Sequence, residues 1–320
     1  MSHLPAEFNS VVDIATGRNI VFSWTPQKRV DQEHAPRISN TGDNMLNFTV
    51  DDERCVRCGK CAKDCIAEII EQKDKELPSI RSEQEENCLQ CQHCLAVCPA
   101  GAISILGHNP GDSLELKAGS LPPPSQVATL IRGRRSIRHY RDENVDPWLL
   151  KNLLATVANA PTGVNRRELT FTVIDDKAAM GRFRDKALNE LRQAIKDGKV
   201  TESAGYLLEA VPAWFECKQD IVFRGAPHML IVSAPLDSPC PQEDIVIALA
   251  YFELIAQSSG LGTVWCGLVK WLLEILPELK PVLGLPVDHK YYCMLFGVPA
   301  IHFARTVQRD DAAVVKRVTL

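Results

Sequence analysis

Apolar residues at 149, 150, 153, 154 and 157 recur at the three- and four-residue spacing of one helical face. Asp146 precedes them as an N-cap, Pro147 takes the first helical position and Pro161 stops the run. A helix is therefore predicted within "VDPWLLKNLLATVANAP". "LTFTVID" (169–175) and "HMLIVSAP" (228–235) are apolar runs of strand length, and both predict strands. "EDIVIALAYFELIAQSSGLG" (243–262) is apolar almost all round, the pattern of a helix covered on several sides. "KYYCMLFGVP" (290–299) predicts a core strand. Toward the N-terminus the pattern weakens, and "VVDIATGRNIVF" (11–22) allows a hairpin around Thr16-Gly17. The irregular order of helices and strands favours an α+β fold over a doubly wound sheet.

Composition divides the chain. "GHNPGDSLELKAGSLPPPSQ" (107–126) is rich in Gly, Pro and Ser, as a linker is. The organisation expected is an N-terminal extension (1–45), a cysteine-rich domain (46–106), a linker (107–125) and a larger domain (126–320). A length of 320 residues suits about two domains. The net charge of −4 gives no electrostatic case for a nucleic-acid partner. The start lacks the apolar core of a signal peptide, and no run reaches the ~18 apolar residues of a membrane span. The expectation is a cytoplasmic protein with no membrane partner.

Eight of the twelve cysteines lie in two runs, "CVRCGKCAKDCI" (55–66) and "CLQCQHCLAVCP" (88–99). A reducing cytoplasm makes disulfides unexpected. Cys217, Cys240, Cys266 and Cys293 are scattered, and buried free thiols are expected there. Both runs read C-x2-C-x2-C-x3-C. Zinc sites usually draw two ligands from each of two knuckles; here three thiolates fall within seven residues, suited to one corner of an iron–sulfur cubane. The runs, with "FTVDDERC" and "PAGAISI" around them, resemble bacterial-type ferredoxins over about 47–106. Cys98-Pro99 matches that pattern, whereas Cys65-Ile66 lacks its proline. In two-cluster ferredoxins the fourth cysteine of a run ligates the opposite cluster. The resemblance thus implies two 4Fe–4S clusters with crossed ligation, one on Cys55, Cys58, Cys61 and Cys98, the other on Cys88, Cys91, Cys94 and Cys65.

The larger domain holds "RGRRSIRHYRD" (132–142), with five arginines in an acidic chain. Alone this reads equally as a solvated basic face. "APTGVN" (160–165) is a small polar turn, and "FGVPAIHFARTVQRD" (296–310) presents Arg305 and Arg309. Two basic clusters and a polar turn suit a phosphate-bearing cofactor, because the planar arginine fork matches phosphate. "GLGTVWCG" is no dinucleotide fingerprint: its glycines follow a helix at the wrong third spacing, and Gly260 or Gly262 reads as a helix C-cap.

Taken in order, "RRSIRHY", "APTGVN", "EDIVIALAYFELIAQSSGLGTVWCG" and "GVP…R…R" resemble the FMN-dependent nitroreductase family over roughly 126–310, in the form carrying a ferredoxin domain in front. The resemblance implies a three-layer α+β FMN domain. It implies that Arg134, Arg135 and Ser136 hold the FMN phosphate with Arg309 and Arg305, and that Arg138 reaches the ribityl chain or the ring. Pro161, Thr162 and Asn165 would line the isoalloxazine. Backbone groups of Trp265, Cys266 and Gly267 would stand near its reactive edge, and residues 204–227 would cover it. His139 reads as a structural partner rather than a general acid. The family's homodimers place FMN at the subunit interface, and the apolar 245–257 stretch fits that arrangement.

The combination implies an oxidoreductase. An external low-potential donor reduces the clusters, the clusters reduce FMN, and FMN N5 delivers hydride to a nitro, quinone or other conjugated small-molecule acceptor. No catalytic side chain is required. The alternatives are an electron-transfer or flavin-reductase module serving a partner protein, or another chemistry of the fold such as dehalogenation or dehydrogenation.

Overall fold

The computed structural model describes residues 11–12, 19–20, 46–200, 204–309 and 313–320. The chain divides into two units, 1–45 and 46–320. In the first, β1 (Val11–Val12) pairs antiparallel with β2 (Asn19–Ile20), as a hairpin requires. Its expected turn at Thr16-Gly17 lies outside the described residues.

The second unit opens with β3 (Thr49–Val50), α1 (Lys60–Asp64), β4 (Ile70–Glu71), β5 (Ser79–Ile80), α2 (His93–Ala96) and β6 (Ile103–Ser104). β3 pairs with β6 and β4 with β5, both antiparallel. Strands of two residues contribute few ladder bonds, so the small core of Leu46, Ile69, Ile70, Leu95, Ile103 and Ile105 matters more. Cys61 and Cys94 are buried within it. The duplication is visible in the backbone: left-handed residues recur at the same offset in both copies, Arg57 with Gln90 and Gly59 with Gln92. Each pair turns the chain between successive cysteines, a conformation costly for L-residues and so held by its surroundings.

The larger part comprises α3 (Pro124–Gly133), α4 (Pro147–Val157), β7 (Thr170–Ile174), α5 (Lys177–Lys196), α6 (Gly205–Cys217), β8 (His228–Pro235), α7 (Pro241–Ser258), β9 (Gly262–Trp265), α8 (Gly267–Ile275), α9 (Leu279–Val282) and β10 (His289–Gly297). The sheet order is β7-β8-β10-β9, antiparallel throughout. Alternate residues of β8 serve opposite faces. Leu230 and Val232 pack with Leu150, Leu153 and Phe252 of α4 and α7. Met229 and Ile231 pack with Leu191, Leu207 and Leu272 of α5, α6 and α8. The architecture is three-layer α+β, and "HMLIVSAP" is continuously apolar because both its faces are covered. Asp146 caps α4 as expected, its carboxylate accepting from Trp148 N at 2.9 Å.

Residues 204–227 put Leu207, Ala210, Val222 and Phe223 into the core against α5, because a sheet buried on two faces needs a second helical layer. Buried free thiols hold for Cys266 and Cys293, whereas Cys217 is exposed and Cys240 half-buried. Gly260 is the left-handed residue ending α7, at φ 79°. Gly262 has another duty, since a Cβ there would stand 2.4 Å from Ile137. Among the described residues, no helix is long and apolar enough to cross a membrane.

Candidate functional site

Seven of the eight clustered thiols fall into two neighbourhoods that cut across the sequence runs. Cys65 joins Cys88, Cys91 and Cys94 around one cavity, whose other walls include Ile69, Ile70, Ile80 and Ile105. Cys61 has Cys58 and Cys98 as its charged neighbours. Burial, reinforced by charge on Cys88, Cys91 and Cys65, pushes the Cys94 thiol up to about 12. Burial likewise raises Cys61 and Cys88. Thiols in such surroundings ionise readily only with a cation to compensate, the role that bound iron plays. The cavity's donor set, four sulfurs in an apolar shell, fits an iron–sulfur cluster.

The arginine segment 134–141 runs along the sheet edge. Ser136 bridges Thr263, Ile137 N donates to Thr263 O at 2.8 Å, and Arg141 N donates to Val298 O at 2.9 Å. Arg134 Nη1 donates to Glu253 Oε1 at 2.7 Å, and that carboxylate is buried. Arg135 folds back onto the carbonyls of Arg132 and Arg134, and its buried Nε has no partner among the described residues. Arg138 and His139 are exposed.

The 160–165 turn is held from the opposite end of α7. Gly163 N donates to both oxygens of Asp244, at 3.0 and 3.2 Å, and Thr162 Oγ1 accepts from Arg167 N at 3.0 Å. Val164, Asn165 and Arg167 are all left-handed, and a β-branched residue in that region is an outlier that its surroundings must hold. Asn165 Nδ2 donates to Leu89 O at 2.8 Å, inside the second cysteine run. Pro161, Thr162 and Asn165 share a cleft of about 540 Å³ with Cys91, Gln92 and His93.

Residues 131–298 match the Nitroreductase family, more than half of the 320 residues, and residues 54–103 match a 4Fe–4S dicluster domain. The chain belongs to the nitroreductase family. An FMN reductase (NAD(P)H) of Bacillus subtilis (strain 168) is 27% identical over 181 residues, covering 52% of this chain and 66% of that one. The chain thus spans just under two thirds of that relative. A 4-nitrobenzoate reductase of Nocardioides sp. (strain LMS-CY) is 26% identical over 204 residues, covering 54% of this chain and 80% of that one. A nitroreductase with bound FMN from Bacteroides fragilis NCTC 9343 aligns at 24% identity and a TM-score of 0.46, over 60% of this chain and 99% of that one. The chain thus joins a nitroreductase-family region to a 4Fe–4S dicluster domain.

Other expected positions are less concentrated. Arg305 and Arg309 are exposed, in the segment after β10 and outside the family match. Trp265 is half-buried, edge-to-face with Tyr292 at 5.6 Å. Cys266 N donates to Cys293 O at 2.9 Å, so this amide serves the sheet rather than standing open to a ring. Burial pushes the Cys266 thiol up to about 11, which leaves it unreactive near neutral pH. Gly267 opens α8 and is half-buried.

Two residues absent from the sequence reading hold the site together. Asp244 and Glu253 are 4% and 6% exposed, and they anchor the 160–165 turn and Arg134 respectively. They lie about 13 Å apart along α7. Their signal was present: carboxylates in an otherwise apolar helix are almost never buried unless paired. Asp244→Ala is expected to cost about 1–3 kcal/mol by leaving the Gly163 N–H without its acceptor. Asp244→Asn, which keeps an acceptor, should cost less, and denaturant titration compares the two.

Proposed function

We propose that this chain takes electrons singly from an external low-potential donor at two 4Fe–4S clusters and passes them in pairs through FMN to a nitroaromatic, quinone or similar conjugated acceptor. The observation that carries this reading is the shared cleft, where Cys91 of the ferredoxin domain meets Pro161, Thr162 and Asn165. The domains proposed are 46–106 for the clusters and 126–320 for FMN, joined by 107–125.

Cys65, Cys88, Cys91 and Cys94 would hold one cluster, and Cys55, Cys58, Cys61 and Cys98 the other. Arg134, Arg135 and Ser136, with Arg309 and Arg305, would bind the FMN phosphate. Arg138 would reach toward the ribityl chain or the ring, Pro161, Thr162 and Asn165 would border the ring, and Trp265, Cys266 and Gly267 would stand beyond its edge. When bound, the clusters supply single-electron transfer, and FMN joins two electrons for hydride delivery. α7 keeps the two FMN segments at fixed separation through Glu253 and Asp244. The ion pair to buried Glu253 orients Arg134 and leaves its other guanidinium donors for an anion.

A homodimer follows from the same surfaces. The outer face of α7 exposes Val246 and Tyr251, and neighbouring α3 exposes Val127 and Ile131. A second copy would cover them. Sedimentation of the FMN-loaded protein should give a dimer; a single 35.5 kDa species at micromolar concentration would count against it.

Similarity to an FMN reductase favours one second reading, reduction of free flavin. Anaerobic turnover with reduced ferredoxin against a nitrobenzoate, a benzoquinone and free FMN separates the two. Oxidation of the donor by the nitro compound or the quinone is expected. Turnover of free FMN alone would favour the second reading, and no donor oxidation with any acceptor contradicts both.

A further inference from the structure

We infer that the Cys88–Cys94 loop, tied down by Asn165, is the electron exit of the ferredoxin domain. The cluster held by Cys65, Cys88, Cys91 and Cys94 then serves the flavin, and the one held by Cys55, Cys58, Cys61 and Cys98 receives electrons from outside. This rests on the reading that both clusters and FMN are bound.

Geometry separates the two sets of thiols. Cys91 lines the cleft that Pro161, Thr162 and Asn165 also line, and no cysteine of the other set does. Cys98 opens instead on a second cleft, bounded by Arg54 and residues 113–116, which nothing from 158–167 reaches. Cys58 is exposed, so the other set has a side open to solvent where a donor can approach.

The Asn165 amide fixes this arrangement. Its bond to Leu89 O, at 2.8 Å, is the one hydrogen bond among the described residues joining 46–106 to 126–309. Leu89 lies between Cys88 and Cys91, so the bond grips the cluster loop itself. Asn165 stands at φ 57° and Val164 at φ 44°, a backbone conformation that the Asp244 carboxylate on Gly163 N helps to hold. Asparagine is among the few residues that tolerate the left-handed region while presenting a side-chain donor. Asn165 is thus a positioning residue, holding the turn and the cysteine loop at one separation. Tunnelling falls steeply with distance, so that separation governs the rate. The electron balance closes with the donor proposed above: two of its molecules are each oxidised by one electron, and two electrons with two protons from water reduce one flavin.

The test is internal electron transfer in the holoprotein. A short anaerobic pulse of viologen radical, too small to reduce every centre, is followed by flavin bleaching coupled to cluster reoxidation. Cys58→Ser and Cys91→Ser are compared, with EPR identifying the surviving cluster in each. The internal phase should survive in Cys58→Ser and be lost in Cys91→Ser. A phase that survives in Cys91→Ser, or disappears in Cys58→Ser, overturns the assignment while leaving the overall route standing. A phase absent even from the unaltered protein overturns the route, and this inference with it. Asn165→Leu keeps all eight thiols. It should shift the EPR signal of the Cys88-loop cluster, leave that of the other cluster in place and slow the internal phase. Unshifted signals with an unchanged phase overturn the positioning role.

Discussion

Replacing Arg134 and Arg309 together by alanine is expected to weaken FMN binding by about 100- to 10,000-fold while riboflavin affinity changes little. Hydrogen bonds to charged groups contribute roughly 1.5–3 kcal/mol each. Every 1.4 kcal/mol is about tenfold in affinity, so two such contacts reach that range. Riboflavin lacks the phosphate and serves as the internal control. The control is needed because Arg134 also neutralises buried Glu253. Removing its guanidinium leaves a carboxylate 6% exposed without its partner, and any loosening that follows falls on both ligands alike, so the riboflavin arm measures it. Arg309 carries no such complication, being exposed beyond β10. Equal losses for FMN and riboflavin would mean that neither arginine meets the phosphate.

Some of this molecule is legible in its residues because the physics is local. The cysteine spacing is one case, since three thiols within seven residues can only converge. β8 and β10 are another, because strands buried on both faces must be apolar throughout. α4 announced itself through a cap, a proline and a stripe. α5 carries an equally good stripe at Met180, Phe183, Ala187, Leu191 and Ala194, but it is interleaved with charges. α6 hides behind Pro212 inside its helix, and α3 begins within a proline run that reads as linker. In α3 the proline sits at the helix start, where its missing N–H costs nothing.

The site is legible to a different depth. "RRSIRHY" and "APTGVN" were visible as polar islands in an apolar domain. The partners that fix them were not, because Arg134–Glu253 and Gly163–Asp244 join residues 119 and 81 positions apart. The Asn165–Leu89 contact spans 76 positions and two domains. Pairings of that kind depend on the assembled fold, and no periodicity encodes them. Asn165, expected to border a flavin ring, also binds the loop that carries Cys88 and Cys91.

The central claim is that electrons from an external one-electron donor reach FMN through the ferredoxin domain. Its most direct test is steady-state turnover of Cys91→Ser, purified anaerobically and confirmed to hold a full complement of FMN. Cys91 touches no residue assigned to the phosphate, so the flavin should remain. Turnover driven by reduced ferredoxin should fall to background. The same enzyme, with its FMN reduced photochemically beforehand, should still reduce one equivalent of acceptor. Turnover from reduced ferredoxin at the unaltered rate, in that FMN-replete and cluster-damaged protein, would contradict the claim.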